Sequence, residues 1–377
     1  MLKNYIPAIK IMLIAILTTC ALPSALLARS GSKSSTGKPP KPWQTSQRSE
    51  IVREDISKRN QFAKHFENAN GTMTMFTSPH SQHYRANGIW KEIDLKIKSQ
   101  VNPVYPYVND ENSFNTYYPA NILSNRLVTK IKEGEMQDGL QAAYIVDQNG
   151  NKVYSFAANG NSQVNIDDNM ITYANVYSGV DIRYSQQNDG RKFDFILKNN
   201  QFLTGLPSNA RFLIIEEKMI VPNNWIVKNT AEGINIYAGN TWLANIPNPL
   251  AFETQSATKK YLQDEDLMNE GSISYTVNGN EIILTTKFSI DWLKNKDRKF
   301  PVMLDPVVNY YPQNVANATG YQSTAAGKTS GFIRITSTTA NLGWASFDIS
   351  TLPAGATIAT GNYWGYHYTT AGDKYAN

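Results

Sequence analysis

The sequence predicts an all-β protein, β-sandwich-like modules built from hairpins, behind a signal peptide and a disordered linker. Three observations predict it. Ile282, Leu284, Thr286 and Phe288 recur at every second position, the period of a half-buried strand. Turn signals such as Asn149-Gly150, Asn188-Asp189-Gly190 and Asn278-Gly279 separate short runs of this kind. The composition, 21 Tyr and 7 Trp in 377 residues with only 18% charged, fits an extracellular β protein better than a cytosolic helical one.

Residues 1–28 read as a secretory leader. Lys3 and Lys10 precede the apolar run Ile11–Leu17, and the small residues Ala21, Ala25 and Ala28 follow. Two other readings stay open. The stretch Ile11–Ala28 is marginally long enough to anchor in a bilayer of ~30 Å. Cys20 after Leu17-Thr18-Thr19 is a poor but recognisable lipid-acceptor position. Cys20 is the only cysteine, so a chain without its leader has no thiol for disulfides, nucleophilic catalysis or metal ligation. Residues 29–60 form a Ser-, Gly-, Pro- and Lys-rich linker. Its end, over Ser49–Phe66, is expected as a short helix.

The net charge of +5 is uneven. Residues 1–60 hold ten Lys and Arg against three Asp and Glu, and the rest hold 26 against 28. The folded part is close to neutral, with no basic, aromatic-interleaved patch for nucleic acid. No membrane span is expected in the mature chain.

Residues 61–308 read as one β-rich module. Tyr84 and Ile89 flank a turn at Ala86-Asn87-Gly88, and residues 101–120 read as irregular and aromatic. Residues 144–146 and 153–156 flank Gln148-Asn149-Gly150-Asn151. Leu243–Phe252 reads as a proline-bearing connector. Ser272–Val277 and Glu281–Thr286 pair across Asn278-Gly279-Asn280. Ser289–Leu293 turns the chain, Lys294–Lys299 is a charged run expected in solvent, and Phe300–Leu304 is a strand closed by Asp305-Pro306.

Three motifs carry a resemblance. The opening one holds Gly88, Trp90, Ile93 and Asp94. The middle one, Tyr173, Asn175-Val176-Tyr177, Gly179-Val180-Asp181-Ile182 and Tyr184, fits Y-x-N-V-[YF]-x-G-[VI]-D-[IL]-x-Y. The closing one, Trp292-Leu293, Arg298, Phe300-Pro301-Val302 and Leu304-Asp305-Pro306, fits W-L-x-x-x-x-R-x-[YF]-P-V-x-[IL]-D-P. In this order they resemble the β-rich module of large secreted Bacteroidetes-like modular proteins, of the kind that precedes DNRLRE-type or rearrangement-hotspot (YD-repeat) regions. Residues 309–377 resemble the start of an extracellular β-sandwich module, through Phe347-Asp348-Ile349-Ser350 and Leu352-Pro353-Ala354-Gly355-Ala356. The chain is expected to be a piece of a longer protein. The resemblance implies a secreted or cell-surface display module with no catalysis of its own.

Other residues offer weaker signals of chemistry. His80 and His83 sit in a loop entering a strand, with no carboxylate to complete a metal set. Asp147-Gln148-Asn149-Gly150-Asn151 starts like a calcium loop but lacks its glycine and closing glutamate, and reads better as a hairpin turn. Asp110-Glu111 is a weaker cation candidate. Gly327-Lys328-Thr329 lacks the rest of a phosphate loop. No catalytic residue, cofactor or metal ligand is assigned. Asp181, Asp194, Asp291 and Asp305 are the carboxylates available to a hydrolase pair; the plainer reading has each holding a turn or strand end, Asp291 as a helix N-cap. Polysaccharide or cell-surface components are the expected partners. Trp344, Tyr363, Trp364 and Tyr366 are the candidates for stacking on sugar rings.

Overall fold

The computed structural model describes residues 50–230, 233–253, 268–305, 307–311, 319–323, 327–330, 342–345, 347, 349, 351–358, 361, 365–367 and 374–376. Three antiparallel strands come first, β1 (Ile51–Glu54), β2 (Ala63–Asn68) and β3 (Met73–Thr77), paired in that order. The helix expected over Ser49–Phe66 is not formed. Only a 3-10 turn, Ile56–Lys58, interrupts β1 and β2, capped by the Asp55 carboxylate. Alternate burial of Ala63 and His65 wins over the loose helical spacing. The hairpin β4 (His83–Ala86) and β5 (Ile89–Glu92) turns at Asn87-Gly88, both at positive φ (51° and 82°), the conformation that a tight two-residue turn requires.

Two large sheets make the body. The chain lays down β6 (Lys98–Ser99), β7 (Tyr107–Asn109), β8 (Asn115–Tyr118), β9 (Leu127–Ile131), β10 (Gly134–Asp147) and β11 (Lys152–Ser155) in the first sheet. It crosses to the second for β12 (Gln163–Asp167), β13 (Met170–Tyr177), β14 (Val180–Gln186) and β15 (Gly190–Leu197), and returns for β16 (Ala210–Ile220). It crosses again for β17 (Trp225–Thr230), β18 (Gly233–Ala238), β19 (Thr241–Pro247), β20 (Leu250–Glu253) and β21 (Met268–Glu270). The hairpin β22 (Ser272–Asn278) and β23 (Glu281–Ser289) rejoins the first sheet. A single helical turn, α1 (Ile290–Leu293), then leads to β24 (Val302–Asp305) and β25 (Val307–Tyr310) in the second. The first sheet runs β22-β23-β16-β10-β9-β8-β7-β6, with β11 beside β10. The second runs β12-β13-β14-β15-β25-β19-β18-β17, with β24 joining β15 to β20. Smaller pairings follow: β26 (Thr319–Ser323) between β27 (Gly327–Ser330) and β28 (Leu342–Ala345), then β29 (Gly365–His367) with β30 (Lys374–Ala376).

Among the described residues every strand pairing is antiparallel, and the two large sheets stack face to face as an all-β sandwich. Leu213, Ile215, Ile145 and Phe288 of the first sheet meet Tyr173, Ile182, Phe195 and Leu304 of the second in one apolar cluster. A second cluster holds Ile131, Met136, Met219 and Leu284 against Trp225, Ile234, Ile246 and Tyr310. The region read as irregular, 101–120, contains β7 and β8. The expected connector Leu243–Phe252 is mostly strand, with only Asn248 and Pro249 between β19 and β20. Prolines at these two places end strands rather than interrupt them.

Candidate functional site

A polar seam divides the two apolar clusters. Its origin is visible strand by strand, because each inward-facing series places one polar residue between apolar ones. β8 and its approach read Phe114, Thr116, Tyr118, and β9 reads Leu127, Thr129, Ile131. β10 reads Met136, Asp138, Leu140, β16 reads Ile215, Glu217, Met219, and β23 reads Leu284, Thr286, Phe288. All five polar residues are buried. From the second sheet Tyr184, Gln186, Arg191 and Tyr310 point into the same layer, also buried.

Arg191 is the centre of the seam and is only 1% exposed. Its Nη2 donates to Asp138 Oδ2, and its Nη1 donates to Thr129 Oγ1 at 2.7 Å. Its guanidinium lies over the Tyr184 ring, 5.6 Å from the centroid. Tyr118 Oη donates to Gln186 Oε1 at 2.8 Å, and Tyr310 Oη to Thr129 Oγ1 at 3.3 Å. Burial alone would pull the Arg191 pKa down, but the adjacent Asp138 carboxylate keeps it above the ordinary value. Glu217 is the opposite case. Burial first, then the nearby Asp138 charge, push its carboxyl up to about 8, only partly offset by Arg191. At neutral pH the seam therefore holds one ion pair and one protonated glutamate.

The motif residues have structural partners. In the middle motif Tyr173, Val176, Tyr177, Val180, Ile182 and Tyr184 are core residues. Asn175 takes a left-handed φ of 53°, and its N–H donates to Asp181 Oδ1 at 2.7 Å. Lys198 closes the same turn, 3.1 Å from Asp181. Asp181→Ala is expected to lower stability by about 1 kcal/mol, the worth of one such bond, read as a shifted urea midpoint; an unchanged midpoint contradicts this role.

In the closing motif Arg298 is not in solvent. Its side chain is 4% exposed, stacks on Trp292 at 3.5 Å and donates to Glu253 Oε1 at 2.8 Å. The rest of the run Lys294–Lys299 is exposed as expected. The aromatic face and the carboxylate draw one of the run's five charged residues inward. In the opening motif Asp94 Oδ1 accepts from Lys96 N at 3.1 Å, and Arg85 lies over Trp90 at 5.5 Å.

Of the four carboxylates weighed as a pair, the fold brings two together. Lys192 Nζ lies 3.1 Å from Asp194 and 3.0 Å from Asp305, and Arg183 donates to Asp194 at 2.7 Å. Burial raises the Asp305 carboxyl to about 6, against the pull of Lys192. Two cations thus neutralise two carboxylates. Asp181 is in the turn described above. Asp291 is exposed in the first turn of α1, whose N-cap is Ser289, so the N-cap expectation for Asp291 is corrected.

The histidines diverge. His80 Nδ1 lies 3.1 Å from Asp189, and His83 Nδ1 lies 2.7 Å from the Asn60 carbonyl. Asp147 accepts from Asn149 N (2.9 Å) and Asn151 N (2.8 Å), closing its hairpin turn. Among the described residues no three His, Cys, Asp or Glu side chains are grouped to hold a metal ion, and no helix is long and apolar enough to cross a membrane. Gly327-Lys328-Thr329 lies on a strand. Trp344 and Tyr366 lie on β28 and β29, of which only the backbone is described; Tyr363 and Trp364 lie outside the described residues. The leader and the linker up to residue 49 also lie outside them.

Compared with known protein families and with curated proteins, the chain matches no family model and no curated protein.

Proposed function

We propose that this chain is a secreted or cell-surface structural module that holds and displays adjoining domains and carries out no catalysis of its own. One observation carries the reading. The described residues of the three sequence motifs serve mainly packing, turns and internal ion pairs, and the open depression that Asn175 and Gly179 line with Ala157, Ala158, Asn159 and Ser178 holds no carboxylate or histidine. Asp194 and Asp305, the carboxylates that do meet, are held by Lys192 and Arg183. The leader-like residues 1–28 and the resemblance to secreted modular proteins support an extracellular address, in an adhesion or delivery apparatus.

The reading is tested on cells that make the protein. An antibody against the sandwich is expected to find it in the medium or on intact cells, where added protease removes it. Protection from protease until the cells are lysed overturns the address. Turnover of any polysaccharide or ester substrate that disappears in Asp305→Asn, with folding retained, overturns the absence of catalysis.

A further inference from the structure

The outer face of the second sheet carries a row of side chains that strand pairing does not call for. Val227, Ile234, Ile236, Ala244, Ile246, Val308 and Tyr310 belong to the core on the other face. Alternation therefore turns Lys228, Asn235, Asn245 and Asn309 outward. The register sets them opposite one another: Lys228 faces Asn235, Asn235 faces Asn245, Asn245 faces Asn309, and Asn309 faces Gly190. The row crosses five neighbouring strands in steps of about 4.8 Å.

Its hydrogen bonds are incomplete. Asn245 Nδ2 donates to Asn235 Oδ1 at 2.8 Å, and Asn235 Nδ2 to Tyr237 Oη at 3.4 Å. Asn245 Oδ1 and the whole Asn309 amide make no hydrogen bond among the described residues. The missing side chain of Gly190 lets β25 approach β15 closely at Asn309. A Cβ there would come within 2.6 Å of the Val308 carbonyl and 3.2 Å of Asn309 Oδ1. Next to the row, Tyr237 and Trp242 are cross-strand neighbours with ring planes 21° apart, and the indole is fixed by Nε1 donating to the Ala244 carbonyl at 3.1 Å. Lys228 lies over the Tyr237 ring at 5.2 Å. Tyr237, Trp242, Asn245 and Asn309 are partly exposed, whereas Asn235 is buried beneath them.

We propose that Asn245, Asn309 and Trp242 bind a neutral polysaccharide laid across the strands, with the buried Asn235 holding the Asn245 amide in place. Asparagine is depleted in strands, and a cross-strand pair adds only ~0.2–1 kcal/mol, so three in register are not explained by sheet stability. Amides offer donors and acceptors without charge, which suits ring hydroxyls. A held aromatic ring suits the C–H face of a pyranose. The strand spacing is comparable with the advance of one sugar unit along an extended chain. Lys228 is the only charge in the row, too little to collect a polyanion. The surface differs from the aromatic residues weighed from the sequence, and the proposal stands without the display function.

The test is affinity electrophoresis of the full chain in gels containing a mixed-linkage β-glucan, xylan, mannan or, as the polyanion, alginate. Retardation by at least one of the three neutral glycans is expected. Asn309→Ala and Trp242→Ala should each weaken it about tenfold, equivalent to about 1.4 kcal/mol, with the melting temperature held. Asn309→Asp keeps the shape, removes the amide donor and should weaken binding too, which serves if the alanine variant does not fold. The proposal is overturned by no retardation in any neutral glycan, by preference for alginate, or by binding that survives these variants.

Discussion

Arg191→Met is expected to lower the unfolding free energy by about 3–5 kcal/mol, the usual result of removing one partner from a buried ion pair. Arg191 and Asp138 are 1% and 4% exposed, so neither charge reaches bulk water. Methionine fills much of the same volume but returns nothing to Asp138, whose carboxylate would stay in the layer with no cation. Thr129 would also lose the Nη1 donor at 2.7 Å. The double variant Arg191→Met with Asp138→Leu should recover most of the loss, because an apolar pair in place of a buried ionic one is often neutral or stabilising. Urea denaturation at constant slope reads both values. A single variant that loses under about 1 kcal/mol, or a double variant no better than the single, removes the ion pair from the account.

The second large effect is a pH dependence centred on Glu217. Its folded-state carboxyl titrates at about 8, and its ordinary value is 4.5. Below the ordinary value the proton is bound in both states, and Glu217 takes nothing from stability. Between 4.5 and about 8 the unfolded chain ionises while the folded chain stays protonated. Stability then falls by up to about 1.4 kcal/mol per pH unit, and the loss is complete above the folded value. Asp305, raised to about 6, adds a smaller loss of the same sign. Glu217→Gln keeps the neutral shape and cannot ionise. At pH 5 the variant should melt close to the parent; by pH 8 it should melt several degrees higher. Parallel melting curves for the two proteins across this range would show Glu217 to be ionised in the folded state.

Much of the fold was legible because the signals are local. The hairpin β22–β23 follows from alternation and from Gly279 at φ 63°, and β13–β14 from the same logic around Gly179 at φ 76°. Asp147 behaves as a turn residue, as its neighbours predict. The misses have physical causes. Loose apolar spacing over Ser49–Phe66 was compatible with a helix, but pairing with β3 selected strands. Arg298 belongs to a charged run, and the ring of nearby Trp292 and the carboxylate of Glu253, 45 residues away in sequence, draw it inward. The seam left a trace, an apolar-x-polar-x-apolar pattern in five strands. That pattern reads equally well as a solvated edge until the facing sheet is known.

The sequence by itself determined an all-β chain, where most of its hairpins turn, and which residues of the three motifs are apolar enough to be core. Alternation and turn stereochemistry act over a few residues, so they can be read in order along the chain. Only the tertiary structure decided which strands are neighbours, because β15 meets β25 and β24 across more than a hundred residues. That pairing sets Arg191 against Asp138 inside the sandwich and lines up Asn235, Asn245 and Asn309 outside it. A register shift of one residue would exchange the two faces, and no local rule along the chain states which register is formed.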